Sequence, residues 1–343
     1  MPISVESGNL SFSKTGILWM SVKRSLREGM LMLSGSHKTA IPGLAPPPVL
    51  IFFHIPKTGG MTMEKVIERC LRDEQFNAYL KMPDTALLVR STAKVAEKFH
   101  KLPIERQHAV RCMVGTHFTF DVATIFDKPS KFFTIVRHPV DRVVSNFFHN
   151  RVMSHLPCYP FIKDLTLEQY LDSGIGLDQD NHQVRMLSGC PDLDGPWDLE
   201  GRPISIRPVE RRHLEMAKRN VEERFIVAAP IEEYTALGWF LKRLFGWPFH
   251  QVLFRINNET PNRPKLAAVS EATRTRLETL NQYDIEVYEW VKARFAKQIQ
   301  SLEPQFSREV RRFDMLNRGL QRISRRSPQP IRRLAKRLLL PTG

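Results

Sequence analysis

Five consecutive apolar residues, Val49-Leu50-Ile51-Phe52-Phe53, run straight into His54-Ile55-Pro56-Lys57-Thr58-Gly59-Gly60-Met61-Thr62. No other feature constrains the chain as strongly. A run that is apolar at every position, with branched and aromatic side chains, suits a strand buried on both faces. A loop containing Pro and Gly follows, and a helix is predicted from Met61 to Leu71. Similar short runs recur from Val110 to Val114, from Phe132 to Val136 and from Phe225 to Ala229. Helix-like stretches lie between them. Val140, Val143, Val144, Phe147 and Phe148 share one helical face, and Leu237, Phe240, Leu241 and Leu244 share another. Strands alternating with helices predict an α/β fold, with a central parallel sheet flanked by helices in three P-loop-like layers. Ligands of such sheets bind at the carboxyl ends of the strands. A long helix is predicted from Ser270 to Phe295, with Ser270 as N-cap and Leu277, Leu280, Val287 and Val291 as its buried face.

The chain has 343 residues, 42% hydrophobic and 25% charged. That is the balance of a soluble protein with one large domain plus extensions, or two ordinary domains. Residues 1–48 read as an N-terminal arm closed by a Pro-rich linker, with a basic amphipathic helix or a loose arm between Ile17 and Leu33. Residues 49–300 read as the main domain, and 301–343 as a basic helical tail. From Glu303 onward, eleven Arg or Lys face three Asp or Glu. Such a tail contacts polyanions or a membrane surface, or is simply a solvated helix face. The formal net charge of +15 favours anionic partners without choosing among them.

Four cysteines, Cys70, Cys112, Cys158 and Cys190, are too few for a disulfide scaffold and show no metal-ligand spacing. They read as reduced, with a Cys158–Cys190 bridge as the alternative. There is no run of ~20 apolar residues to span a bilayer and no convincing signal peptide. The expected location is cytoplasmic, with peripheral membrane contact through the basic tail.

The first motif has the chemistry of an anion cradle. A strand–loop–helix joint offers backbone N–H groups and the positive end of a helix dipole. Gly59 and Gly60 allow close approach, Lys57 supplies a charge and Thr62 a hydroxyl. It is not a Walker A loop, because the lysine precedes the glycines and no GxxxxGK[ST] order exists. A P-loop kinase or nucleotide hydrolase is therefore disfavoured.

A second motif, Phe133-Thr134-Ile135-Val136-Arg137-His138-Pro139-Val140-Asp141-Arg142-Val143-Val144-Ser145, follows the third apolar run. Pro139 suits a first helical turn. Arg137, at a strand end, suits bidentate contact with a phosphate.

Together these motifs resemble those of sulfotransferases that use 3′-phosphoadenosine 5′-phosphosulfate (PAPS). The HIPKTGG form resembles the carbohydrate branch, which includes the heparan sulfate 2-O- and 6-O-sulfotransferases. The resemblance implies that Lys57 meets the bridging oxygen between phosphate and sulfate. It implies that Thr58, Gly59, Gly60 and Thr62 hold the 5′-phosphate, and Arg137 and Ser145 the 3′-phosphate. Met61 departs from the Thr or Ser usual there. PAPS is then the sulfate donor, 3′,5′-ADP the product, and no metal is required.

In-line transfer needs a base for the acceptor hydroxyl. Gly115-Thr116-His117-Phe118 follows the second apolar run, and in the heparan sulfate branch a His in a comparable segment is the proposed base. That role falls to His117, with His54 and His182 as rivals. Asp180 to Gly189 resembles a family segment near the acceptor, where Gln183 and Arg185 either contact substrate or brace a helix end. Asn257 to Pro264, followed by Asn281, Asp284 and Tyr288, resembles the branch's closing segment. There Arg263 and Lys265 are candidates for the 3′-phosphate side. The implied acceptor is a glycan or glycolipid hydroxyl, with no specific nucleic acid. The oligomeric state is left open. The competing expectation is a catalytically degenerate protein of this fold that binds polyanions or anionic membranes.

Overall fold

The apolar run forms β1, Val49–Phe53, the middle strand of a five-stranded sheet. The computed structural model describes residues 48–78, 92–116, 118–156, 158–174, 179–190, 193, 207–254, 269–302 and 304–326. The N-terminal arm, His117, Arg263, Lys265 and the last stretch of the basic tail lie outside them.

After β1 come α1 (Gly60–Leu71), β2 (Gln75–Asn77), α2 (Thr92–His100), α3 (Ile104–Ala109) and β3 (Cys112–Gly115). Next are β4 (Ser130–Val136), α4 (Pro139–Asn150), α5 (Tyr159–Ile162), α6 (Leu167–Ser173) and α7 (His182–Ser188). The chain continues with α8 (Arg211–Arg224), β5 (Phe225–Pro230), α9 (Tyr234–Phe245), α10 (Glu271–Leu280), α11 (Gln282–Gln300) and α12 (Pro304–Arg326).

The strand order is β2-β3-β1-β4-β5, and every pair is parallel. From β1 the chain passes to the edge strand β2, returns to β3 beside β1, and then crosses to β4 and β5 on the other side. The order therefore reverses at β1, where the carboxyl ends of such sheets open a crevice for ligands. Phe53 pairs with Gly115 on β3, and Phe52 with Phe133 on β4. The chain leaving β1, β3 and β4 emerges at one edge.

Alternation along β1 feeds both faces. Leu50 and Phe52 join Met63, Val66 and Ile67 of α1 and Leu237 and Leu241 of α9. Val49, Ile51 and Phe53 join Val184 and Leu187 of α7, Val221 of α8 and Val291 of α11. Helices thus cover both sides, as expected for three layers. The first cluster extends to α12, which buries Phe306, Phe313 and Leu320 and turns Arg308, Arg311 and Arg312 outward.

Two local expectations change. Ser270 does cap a helix, accepting from Thr273 N at 3.2 Å. The single helix predicted from Ser270 to Phe295, however, is two helices meeting at Asn281. The Asn281 Nδ2 donates to Gln179 O and Leu277 O at 2.8 and 2.9 Å, and side-chain bonding of this kind competes with helix continuation. The edge strand β2 went unanticipated, because only Phe76 of its three residues is buried. The four cysteines are free, so Cys158 and Cys190 are not bridged.

Candidate active site

The loop from β1 to α1 is held from within. Thr58 is fully buried and its hydroxyl donates to Ile55 O at 2.8 Å, closing the turn. Its contribution to an anion site is therefore its backbone N–H, since the hydroxyl proton is spent. His54 is buried, stacks on Phe52 and bonds Glu64 Oε1 through Nδ1 at 2.7 Å. Gly60 lies directly against that ring. A Cβ there would stand 2.1 Å from His54 Cδ2 and 2.2 Å from Nε2. The glycine is thus required by the histidine six residues earlier. His54 is packed between Phe52, Glu64 and Gly60.

Lys57 has φ 68° and Gly59 φ 90°. The left-handed conformation is uncommon and strained for a side-chain-bearing residue, and it clusters at ligand sites. Gly59 is the N-cap of α1, where an oxygen-bearing side chain often sits but here there is none. The first N–H groups of a helix lack intrahelical acceptors, although Thr62 N reaches back to Gly59 O at 3.2 Å. A half-buried lysine, two glycines and a helix start make a cradle that fits a phosphate or phosphosulfate.

Arg137 joins the second motif to the first. Its Nη1 donates to Lys57 O at 3.0 Å and its Nε to Asp141 at 2.6 Å, with Nη2 also paired to Asp141. Burial lowers its pKa, opposed by the Glu232 carboxylate. The backbone of Arg137 is clamped as well. Gln183 Oε1 accepts from Arg137 N at 2.9 Å, and Gln183 Nε2 donates to Arg137 O at 2.8 Å. Pro139 opens α4 as predicted. Asp141, Ser145 and His149 recur every fourth residue, so they share one face of α4. Asp141 binds Arg137, Ser145 is buried, and His149 feels the charge of Lys57. That face therefore lies along the cradle. Burial first, then Lys57 and His155, holds His149 down at about 4. It is neutral at pH 7. Sequence reasoning missed His149; its signal was the four-residue spacing from Ser145.

Thr116, at the end of β3, donates its hydroxyl to His54 O at 3.1 Å. The residue before His117 is thereby tied to the first residue of the cradle loop.

The segment Asp180–Arg185 is a brace. Fully buried Arg185 binds Asp180 O and Oδ2, Leu193 O and Arg207 O. Asn181 N donates to Asn281 Oδ1, and Asn181 Oδ1 accepts from Tyr283 N and Asp284 N. Buried Asp284 accepts from Gln183 N at 3.0 Å and Val184 N at 2.8 Å. Burial raises its pKa, opposed by Arg142 and these N–H groups. Of the two readings of Gln183 and Arg185, the helix-end role is what their partners describe.

A parallel α/β sheet with an anion cradle at its reversal point, and an arginine reaching over from the next strand, defines a nucleotide-binding enzyme. Residues 44–189, which carry both motifs, match the model of the sulfotransferase family. The chain is 25% identical over 297 residues to a heparan-sulfate 6-O-sulfotransferase 2 of Gallus gallus, covering 77% of this chain and 71% of that protein. It is 26% identical over 315 residues to a heparan-sulfate 6-O-sulfotransferase 1 of Homo sapiens, covering 82% and 74%. Among solved structures, mouse sulfotransferase SULT7A1 complexed with PAP matches at 14% identity and a TM-score of 0.40, covering 80% and 95%. The chain is thus similar to the sulfotransferase family over residues 44–189, and to heparan-sulfate 6-O-sulfotransferases over most of its length.

Proposed function

We propose that the protein transfers a sulfuryl group from PAPS to a sugar hydroxyl of an anionic glycan, with Lys57 stabilising the leaving phosphate and His117 as base. The observation that carries this reading is the Arg137 bridge. One guanidinium touches the backbone of Lys57 and lies on the same side as Ser145, so the two ends of a 3′,5′-bisphosphorylated nucleotide would be held by one connected unit. The 5′ side would rest on the cradle of Gly59, Gly60, Thr62 and the backbone of Thr58. A 3′-phosphate would compete with Asp141 for the guanidinium edge.

The acceptor hydroxyl gives its proton to His117 as its oxygen bonds to sulfur. The bond from sulfur to the bridging oxygen breaks, and 3′,5′-ADP leaves with the electron pair. The Lys57 ammonium offsets the charge that builds on that oxygen. The tether from Thr116 to the cradle loop supports His117 in this role. The net positive charge and the relatives' heparan sulfate support an anionic acceptor.

The test is sulfate transfer from labelled PAPS to a heparan-type oligosaccharide. His117→Ala should lower turnover about 10²–10⁴-fold with 3′,5′-ADP affinity unchanged. Lys57→Ala should lower turnover about 10²–10³-fold and weaken 3′,5′-ADP as well. A His117→Ala enzyme near wild-type turnover would remove the base assignment, and His149, neutral beside Lys57, would be the next residue to vary.

A further inference from the structure

A cavity of about 440 Å³ opens between the end of α7, one face of α8 and the turn that follows β3. It is separate from the cradle. Met216, Arg219, Asn220 and Arg224 line it from α8 at helical spacing, so a single helix face presents two arginines to it.

The wall is positioned with some care. Asn220 Nδ2 donates to Leu187 O at 3.0 Å and to Ser188 O at 2.8 Å, which fixes its amide. The Oδ1 of that amide then accepts from Arg224 Nε at 3.1 Å. The Arg224 guanidinium lies over the Phe120 ring, 5.3 Å from its centroid. Phe120 can form this floor because Gly189 has φ 65° and no side chain. A Cβ there would stand 2.6 Å from Phe120 Cδ2. Arg219 and Arg224 are exposed, and neither pairs with a carboxylate among the described residues. At the mouth, Asp121 accepts from Thr92 at 2.8 Å and from Thr119, an acceptor pre-set for a hydroxyl.

We infer that this cavity is a second subsite for an anionic sugar. Arg219 and Arg224 would bind a sulfate or carboxylate on the acceptor chain, away from the unit being sulfated. Guanidinium forks match both oxyanions bidentately, and a hydrogen-bond acceptor at the rim suits a sugar hydroxyl. Thr119 lies two residues beyond His117 in the chain, so the cavity and the reacting edge are reached by one short segment. The inference rests on the proposed glycan acceptor, and it adds a site that reads charge on a neighbouring unit.

The experiment is calorimetric titration of the full chain with a fully sulfated heparin octasaccharide, in the presence of 3′,5′-ADP. Three proteins are compared: wild type, Arg219→Ser with Arg224→Ser, and Arg308→Ser with Arg311→Ser on α12. The second pair removes equal charge elsewhere. The cavity pair should weaken the oligosaccharide about tenfold or more while 3′,5′-ADP binds as before, which also reports correct folding. The α12 pair should change it less than about twofold. Wild-type affinity in the cavity pair, or equal losses in both pairs, would overturn the inference. Should 3′,5′-ADP fail to bind any of the three while the oligosaccharide contrast persists, the donor reading falls and the subsite stands.

Discussion

The cradle loop and the buried brace beside it are built on opposite principles. The cradle's own side chains are fixed across short stretches of chain, Thr58 to Ile55 across three residues and His54 to Glu64 across ten, while Arg137 and Thr116 reach its backbone from 80 and 62 residues away. The brace joins residues 100 to 103 apart, Asn181 with Asn281 and Asp284, and Asp284 with Gln183 and Val184. The cradle presents charge to a ligand. The brace buries polar groups and satisfies them, and through Gln183 it fixes the backbone of Arg137. The anion site is thus local in its chemistry and long-range in its support. Damage to the two regions should separate in measurement.

The largest separation is expected at Asp284. Asp284→Ala removes the acceptor for two N–H groups and a charge that interacts with buried Arg142. Denaturant unfolding should show a loss of about 3–5 kcal/mol, the size for breaking a buried pair, before any effect on turnover is considered. A loss below about 1 kcal/mol would mean that the brace is ornamental to stability.

A smaller effect is expected in the cradle. Gly60→Ala drives a Cβ into the His54 ring and should cost about 1–3 kcal/mol by overpacking. In the double variant with His54→Ala, most of that penalty should vanish, because the two changes share one contact. Additive penalties would show that Gly60 is needed for its backbone alone.

The smallest effect is in pH dependence. His149 is held at about 4, against an ordinary 6.5, by burial first and then by Lys57 and His155. The unfolded chain therefore takes up a proton that the folded chain refuses. The contribution to stability is complete above pH 6.5 and is lost as pH falls toward 4. In Lys57→Ala, His149 should titrate at higher pH by NMR, and the sloping window should narrow. An unmoved titration would mean that Lys57 does not face α4.

The same contrast explains what could be read in the sequence. The apolar run of β1, the Lys-before-Gly order and the Arg137–Pro139–Ser145 spacing are contiguous, so strand, cradle and helix start were all legible. The break at Asn281 was not, because it depends on Gln179, Asn181 and Leu277. Neither was the internal commitment of Arg185, whose partners include Leu193 and Arg207. His149 lay in plain spacing with Ser145, yet its importance came only from where tertiary packing puts Lys57. Arg263 and His117 stand on segments outside the described residues, so their assignment still rests on sequence alone.

The central claim is that Arg137 and the cradle form one site for a bisphosphorylated nucleotide. Isothermal titration of the protein with 3′,5′-ADP, beside an Arg137→Ala variant, tests it without any knowledge of the acceptor. The account predicts saturable binding to the wild type that the variant loses or weakens by about tenfold or more. Equal binding by both proteins, or none by a well-folded wild type, would contradict it.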